Sequence, residues 1–96
     1  MAYNISLSTR FKKQYKKCMR QGLPEEEFRK VVSILAETGT LPQQYRPHPL
    51  TSNYKGCMEA HIQPDWLLIW KQNDTELTLL FVATGSHSEL FKKNRR

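Results

Sequence analysis

Nowhere in the 96 residues is there an apolar run approaching the ~20 residues that a membrane-spanning helix needs, so no membrane partner is expected. The first residues, Met1 to Ser8, lack the basic-then-apolar order of a secretory signal, and the cytoplasm is the expected compartment. Cysteine is scarce. Cys18 and Cys57 are too few and too far apart for a disulfide framework or a zinc site, and each reads as a reduced thiol. There are no internal repeats. Acidic residues are also short, nine against fifteen Lys and Arg, which leaves a net charge of +6. Such an excess on a small domain attracts polyanions, nucleic acid first among them, although an acidic protein partner would fit as well.

What is present describes one domain with a single core, since 39% of the residues are hydrophobic and the chain is too short for two. Asn4 to Leu7 alternates like a strand. Ser8 or Thr9 can cap a helix whose apolar positions Phe11, Tyr15 and Cys18 share one face, with Lys12, Lys13, Lys16, Lys17 and Arg20 on the other, ending at Gly22. Pro24 fits the first position of a second helix, Glu25 to Glu27 complement its dipole, Phe28, Val31, Val32 and Leu35 form its stripe, and Gly39 stops it. Thr40 to Asn53, with three prolines, reads as an ordered surface loop. Strand-like runs follow at Tyr54–Ile62, Trp66–Lys71 and Glu76–Ala83, separated by turns at Gln63-Pro64 and Gln72–Thr75, and then a short helical turn within Ser86–Phe91. The order β-α-α-β-β-β predicts an α+β domain, an antiparallel sheet with a helical hairpin on one face. Lys92 to Arg96 forms a basic tail.

The three histidines all fall in the second half: His48 in the loop, His61 near a strand end and His87 after the last strand. In a meander, His61 and Asp65 flank one turn and share one rim of the sheet, and a segment reaching His87 returns to that rim. Imidazoles titrate near neutral pH and pass protons both ways, which suits general acid–base chemistry. Two imidazoles and a carboxylate could also hold a transition metal, but the short spacing of helical metal sites is missing. Tyr45, Tyr54, Trp66, Trp70 and Phe91 lie among these groups, where aromatics beside Lys and Arg can stack on single-stranded RNA. Trp70, at period two with Leu68, reads as core. Trp66, at the same spacing but beside Asp65, fits the core and the rim equally.

The series His48-Pro-Leu, Tyr54-Lys-Gly, Ala60-His-Ile-Gln-Pro-Asp-Trp-Leu-Leu-Ile-Trp and Thr84-Gly-Ser-His-Ser-Glu-Leu-Phe resembles the motifs of YafQ-type toxins, a RelE-like group. The likeness runs essentially to Phe91. It implies a RelE-like fold, cleavage of mRNA on the translating 70S ribosome with contacts to its rRNA, and a cognate antitoxin. Residue by residue, His48, His61, Asp65 and His87 match the family's catalytic positions, and Trp66 and Phe91 match positions that support substrate placement. The implied reaction needs no metal or other cofactor: a base takes the 2′-OH proton, the oxygen attacks the adjacent phosphorus, and an acid protonates the departing 5′-oxygen.

One position departs from the pattern. Where the family carries a basic residue before Gly-[Ser/Thr]-His, this chain has Ala83. If the strand end faces the rim, that alanine removes a phosphate contact worth roughly 10²–10³ in rate, leaving either an attenuated toxin or one that manages without it. If position 83 points into the core, Lys55 and Arg46 are the next candidates to bind phosphate. The alternatives are a non-catalytic ParE-like toxin, which needs no proton-transfer groups, and an RNA- or antitoxin-binding module whose catalysis has decayed.

Overall fold

The computed structural model describes residues 2–91, and the basic run Lys92–Arg96 lies outside them. The order is β1 (Asn4–Leu7), α1 (Thr9–Arg20), α2 (Glu25–Thr38), β2 (His48–Pro49), β3 (Met58–Gln63), β4 (Trp66–Asn73), β5 (Thr78–Gly85) and α3 (His87–Leu90), with 3₁₀ turns at Gln43–Tyr45 and Ser52–Tyr54. The strands form one sheet in the order β1-β5-β4-β3-β2. No described helix is long and apolar enough to cross a membrane.

Two features differ from the expected four-strand antiparallel sheet. The chain reaches β5 from the far edge, so β1 lies parallel to β5, Asn4 opposite Thr78 and Leu7 opposite Phe81. The proline-rich loop also contributes a fifth strand, in which His48 and Pro49 pair with Glu59 and Met58. A two-residue strand that follows one proline and contains another carries no readable alternation, and only the partner strand reveals it. Tyr54 is drawn out of β3 into a 3₁₀ turn.

Alternation sorts β3, β4 and β5 into two faces. Ala60, Ile62, Trp66, Leu68, Trp70, Leu79 and Phe81 join Phe11, Cys18, Val31 and Leu35 in the main core under α1 and α2. The helices meet through aromatic rings, Tyr15 and Phe28 having centroids 4.8 Å apart. On the opposite face, Cys57, Leu67, Ile69, Ala83 and Leu90 make a second, smaller cluster. A bulge between Ile69 and Trp70 shifts the register of β4 against β5 and turns Ala83 to the face opposite Leu79 and Phe81.

Ser8 ties the first helix to the sheet. Its Oγ accepts from the Phe11 N–H at the start of α1 and donates to the Val82 carbonyl of β5. Gly39 closes α2 in the left-handed conformation with its N–H on the Leu35 carbonyl, and a Cβ there would collide with the Tyr3 ring. Replacing Ser8 with Ala removes both the cap and the strand contact. A loss of about 1–2 kcal/mol is expected from urea unfolding, with the slope of the transition unchanged.

Candidate active site

The site lies on the sheet face away from α1 and α2. Cross-strand register sets its rows: His48 sits opposite Glu59, Glu59 opposite Ile69, and Ile69 opposite Ala83; in the next row His61 faces Leu67, which faces Gly85. Because Met58, Ala60 and Ile62 turn toward the helices, Glu59 and His61 must turn the other way. α3 then brings His87 beside them. The ring centroids of His61 and His87 are 5.5 Å apart, and those of His48 and His61 are 6.5 Å apart. His61 is therefore the middle of three imidazoles.

Each ring is held differently. His87 donates from both its backbone N and ring Nδ1 to Asp65 Oδ1, each at 2.9 Å. These two bonds pull the Asp65 carboxyl below the usual carboxylate range, so it stays ionised and directs Nε2 of His87 outward. His48 donates from Nδ1 to the Arg46 carbonyl at 2.9 Å, and its Nε2 lies 3.0 Å from Glu59 Oε1. The carbonyl has no proton to give, so Nδ1 carries one, and neither ring nitrogen of His48 is left without a partner. His61 has the opposite arrangement: its Nδ1 is buried and meets no hydrogen-bond partner among the described residues. Burial lowers its pKa from the ordinary histidine value, opposed by the charge of Glu59 and reinforced by His87, Arg46 and His48.

Around the rings, Phe91 is 40% exposed, with its centroid 6.3 Å from His87 and 5.5 Å from Tyr54. Arg46 is exposed in a left-handed conformation and shares a groove with His61. Lys55 is exposed and makes no hydrogen bond or ion pair with the rings among the described residues. No group of three or more His, Cys, Asp or Glu side chains among the described residues has an arrangement that would hold a metal ion.

Two expected positions are corrected. Trp66 is 1% exposed, stacks near Phe28 under α2, and donates from Nε1 to Thr84 Oγ1 at 2.9 Å. It starts β4 on the helix face, because the turn ends one residue earlier, at Asp65, and it has no surface to offer a base. Ala83 is fully buried, not at a solvent-facing rim, since Leu90 of α3 joins it in the second cluster. Two contributors went unread in the sequence. Glu59 is 4% exposed yet faces His48, a carboxylate that strand alternation from Ala60 could have placed on the imidazole side. Arg10 reaches from α1 to Tyr54, with Nη2 2.6 Å from its hydroxyl and the guanidinium 5.4 Å from its ring centroid. No local pattern signals a contact across 44 residues.

Residues 3–92 match the model of the family described as the bacterial toxin of type II toxin–antitoxin systems, YafQ. The chain belongs to that family. It is 36% identical over 89 residues to the mRNA interferase toxin YafQ of Escherichia coli strain B / BL21-DE3, covering 92% of this chain and 95% of that one. The YafQ chain in the crystal structure of the E. coli DinJ–YafQ complex superposes with a TM-score of 0.83 at 34% identity, over 93% of this chain and 98% of that one. A metal-bound toxin from Helicobacter pylori gives 0.83 at 38% identity, over 95% and 100%. The YafQ family toxin described here thus has the RelE-like architecture that its motifs predicted, apart from the added β2 and the parallel β1.

Substituting Arg for Ala83 in this YafQ family member places a long charged side chain beneath Leu90. Overpacking of that kind costs about 1–3 kcal/mol, to be read as a lowered thermal midpoint. A variant as stable as the parent would return position 83 to the accessible rim.

Proposed function

We propose that this protein is the toxin of a type II toxin–antitoxin pair, an endoribonuclease that cleaves mRNA on the translating ribosome by 2′-OH transesterification. The observation that carries this reading is the neighbouring pair His61 and His87, two imidazoles with different electrostatic surroundings, neither of whose Nε2 atoms has a hydrogen-bond partner among the described residues. His61, kept neutral by burial, is the base that takes the 2′-OH proton. The freed oxygen attacks phosphorus to form the 2′,3′-cyclic phosphate, and the 5′-oxygen leaves with a proton from Nε2 of His87. Asp65 holds that ring in place through Nδ1 and leaves Nε2 toward the substrate. His48, bonded at both nitrogens, is a fixed donor group beside the phosphate and passes no proton itself. Phe91 offers an exposed ring for stacking, and Arg46 and Lys55 supply positive charge. A non-catalytic ParE-like role leaves this pairing of imidazoles and carboxylates without a use.

His61→Ala and His87→Ala should each reduce cleavage of translated mRNA, read by primer extension, by about 10²-fold or more. The double variant should lose less than the product of the two single losses. Full activity in either folded single variant removes that residue from the mechanism. The pH profile is a further check. Below its pKa His61 carries a proton and accepts none, so kcat/KM falls as pH drops through that value, which lies below the ordinary 6.5. Because the Glu59 charge raises it, Glu59→Gln should move the acid limb lower still, and a limb that moves upward contradicts the assignment.

The partner follows from charge. Lys12, Lys13, Lys16 and Arg20 are exposed on α1, whereas Lys17 is engaged with Glu89 at 2.7 Å. The cognate antitoxin should therefore present an acidic, amphipathic segment to this face. Reversing Lys12, Lys13 and Lys16 to Glu should weaken the complex and flatten its salt dependence. Unchanged affinity at low salt places the antitoxin elsewhere.

A further inference from the structure

Among the described residues β2 pairs only with Met58 and Glu59, and no strand lies beside the outer edge of β3 beyond Glu59. The 3₁₀ turn Gln43–Tyr45 runs alongside instead and leaves a groove of about 400 Å³ between it, α2 and the end of β3. Glu27, Lys30, Gln44, Arg46, His61 and Gln63 line it. This volume falls within the range of small-ligand pockets, about 300–1,000 Å³. The side chains of Gln44, Arg46 and Gln63 make no hydrogen bond or ion pair among the described residues, and Lys30 has only a long 3.7 Å contact with Glu27.

A second groove of similar size opens on the other side of Pro64, but its walls include the carboxylates of Asp65 and Glu89. Hydrogen bonds from His87 keep Asp65 ionised, and Glu89 is paired with Lys17, so both carry negative charge. That groove has no Lys or Arg in its lining among the described residues, whereas Lys30 and Arg46 outnumber Glu27 in the first, so a phosphodiester approaching His61 is drawn to the side of Arg46.

We propose that the groove along the open edge of β3 is a base-reading subsite for the nucleotide on the 5′ side of the cleaved bond. This rests on the ribonuclease reading above and on His61 as the group that meets the 2′-OH. That hydroxyl belongs to the 5′ nucleotide, so its base must lie in whichever groove adjoins His61. Arg46 and Lys30 hold the phosphate preceding it. The amides of Gln44 and Gln63 each present a donor and an acceptor, which match the edge of an unstacked base.

The test uses four short RNAs that differ only in the base 5′ of a fixed bond, each with a 2′-deoxy sugar at that nucleotide so that binding is measured without cleavage. The wild-type protein should prefer one base over the poorest by about tenfold or more in fluorescence anisotropy, the discrimination expected of one well-made amide–base pair. Gln44→Leu and Gln63→Leu should each reduce that ratio while leaving the thermal midpoint within a degree or two, both being surface side chains. On translated mRNA the same variants should redistribute the cut sites. Equal binding of all four RNAs by the wild type, or a ratio unchanged in both variants, overturns the subsite. Cleavage with undiscriminating binding overturns the subsite alone. Discriminating binding with no cleavage of translated mRNA by the wild type overturns the ribonuclease reading alone.

Discussion

Asp65 Oδ1 receives two donors from a single residue, the backbone N–H and the ring Nδ1–H of His87. This fastens the short α3 to the turn between β3 and β4. Four residues of helix have little stability of their own, since isolated turns do not recover the cost of nucleation. α3 stands because it is tied at several points: the Ser86–Glu89 capping box, the Glu89–Lys17 pair and the Asp65 bonds at its first residue. Once it is fixed, Leu90 covers the second apolar cluster, Phe91 is set beside Tyr54, and the His87 ring stands next to His61. Loss of the Asp65 carboxylate would thus release a side chain, a helix and a cover for the sheet together.

The sheet supplies the other half of the arrangement. With one face of β3 committed to the core through Ala60 and Ile62, Glu59 and His61 are forced onto the opposite face. Glu59 is buried there, and a buried carboxylate without a partner is costly. His48 resolves that cost, and the two-residue strand β2 is what delivers it to the right register. The same short strand begins only at His48, which leaves the edge of β3 open next to His61. The pairing that steadies His48 and the opening beside His61 come from one feature of the chain.

How much of this could be read from the sequence depended on range. Both helices were legible from local signals, a serine cap at Ser8 and a left-handed glycine at Gly39, and the three long strands from their alternation. The convergence of His61, Asp65 and His87 followed from counting strands in a meander. What escaped was set by tertiary partners. β2 exists only because β3 is there to pair with it, and β1 joins β5 in parallel through a crossover that leaves no turn signature. Trp66 and Ala83 were misplaced for different reasons: Trp66 continues the helix-facing row of Leu68 and Trp70 right up to the turn, whereas a bulge in the β4–β5 pairing turns Ala83 to the face opposite Phe81. The contact between Arg10 and Tyr54 joins residues with no sequence relation at all.

Three chemically identical side chains end in three different conditions, and the carboxylates decide which. His87 faces an exposed carboxylate through one nitrogen and keeps the other for solvent, which suits a group that gives and takes a proton. His48 faces a buried carboxylate through one nitrogen and a carbonyl through the other, which suits a group that stays as it is. His61 has no hydrogen-bonded carboxylate, sits partly buried between two other imidazoles, and is held neutral by that position. Exchanging the partners would exchange the roles, because nothing in the imidazole itself distinguishes them. An acid and a base built from the same residue a few ångströms apart require such unequal surroundings, and the fold provides them by placing one histidine on each of three separate elements.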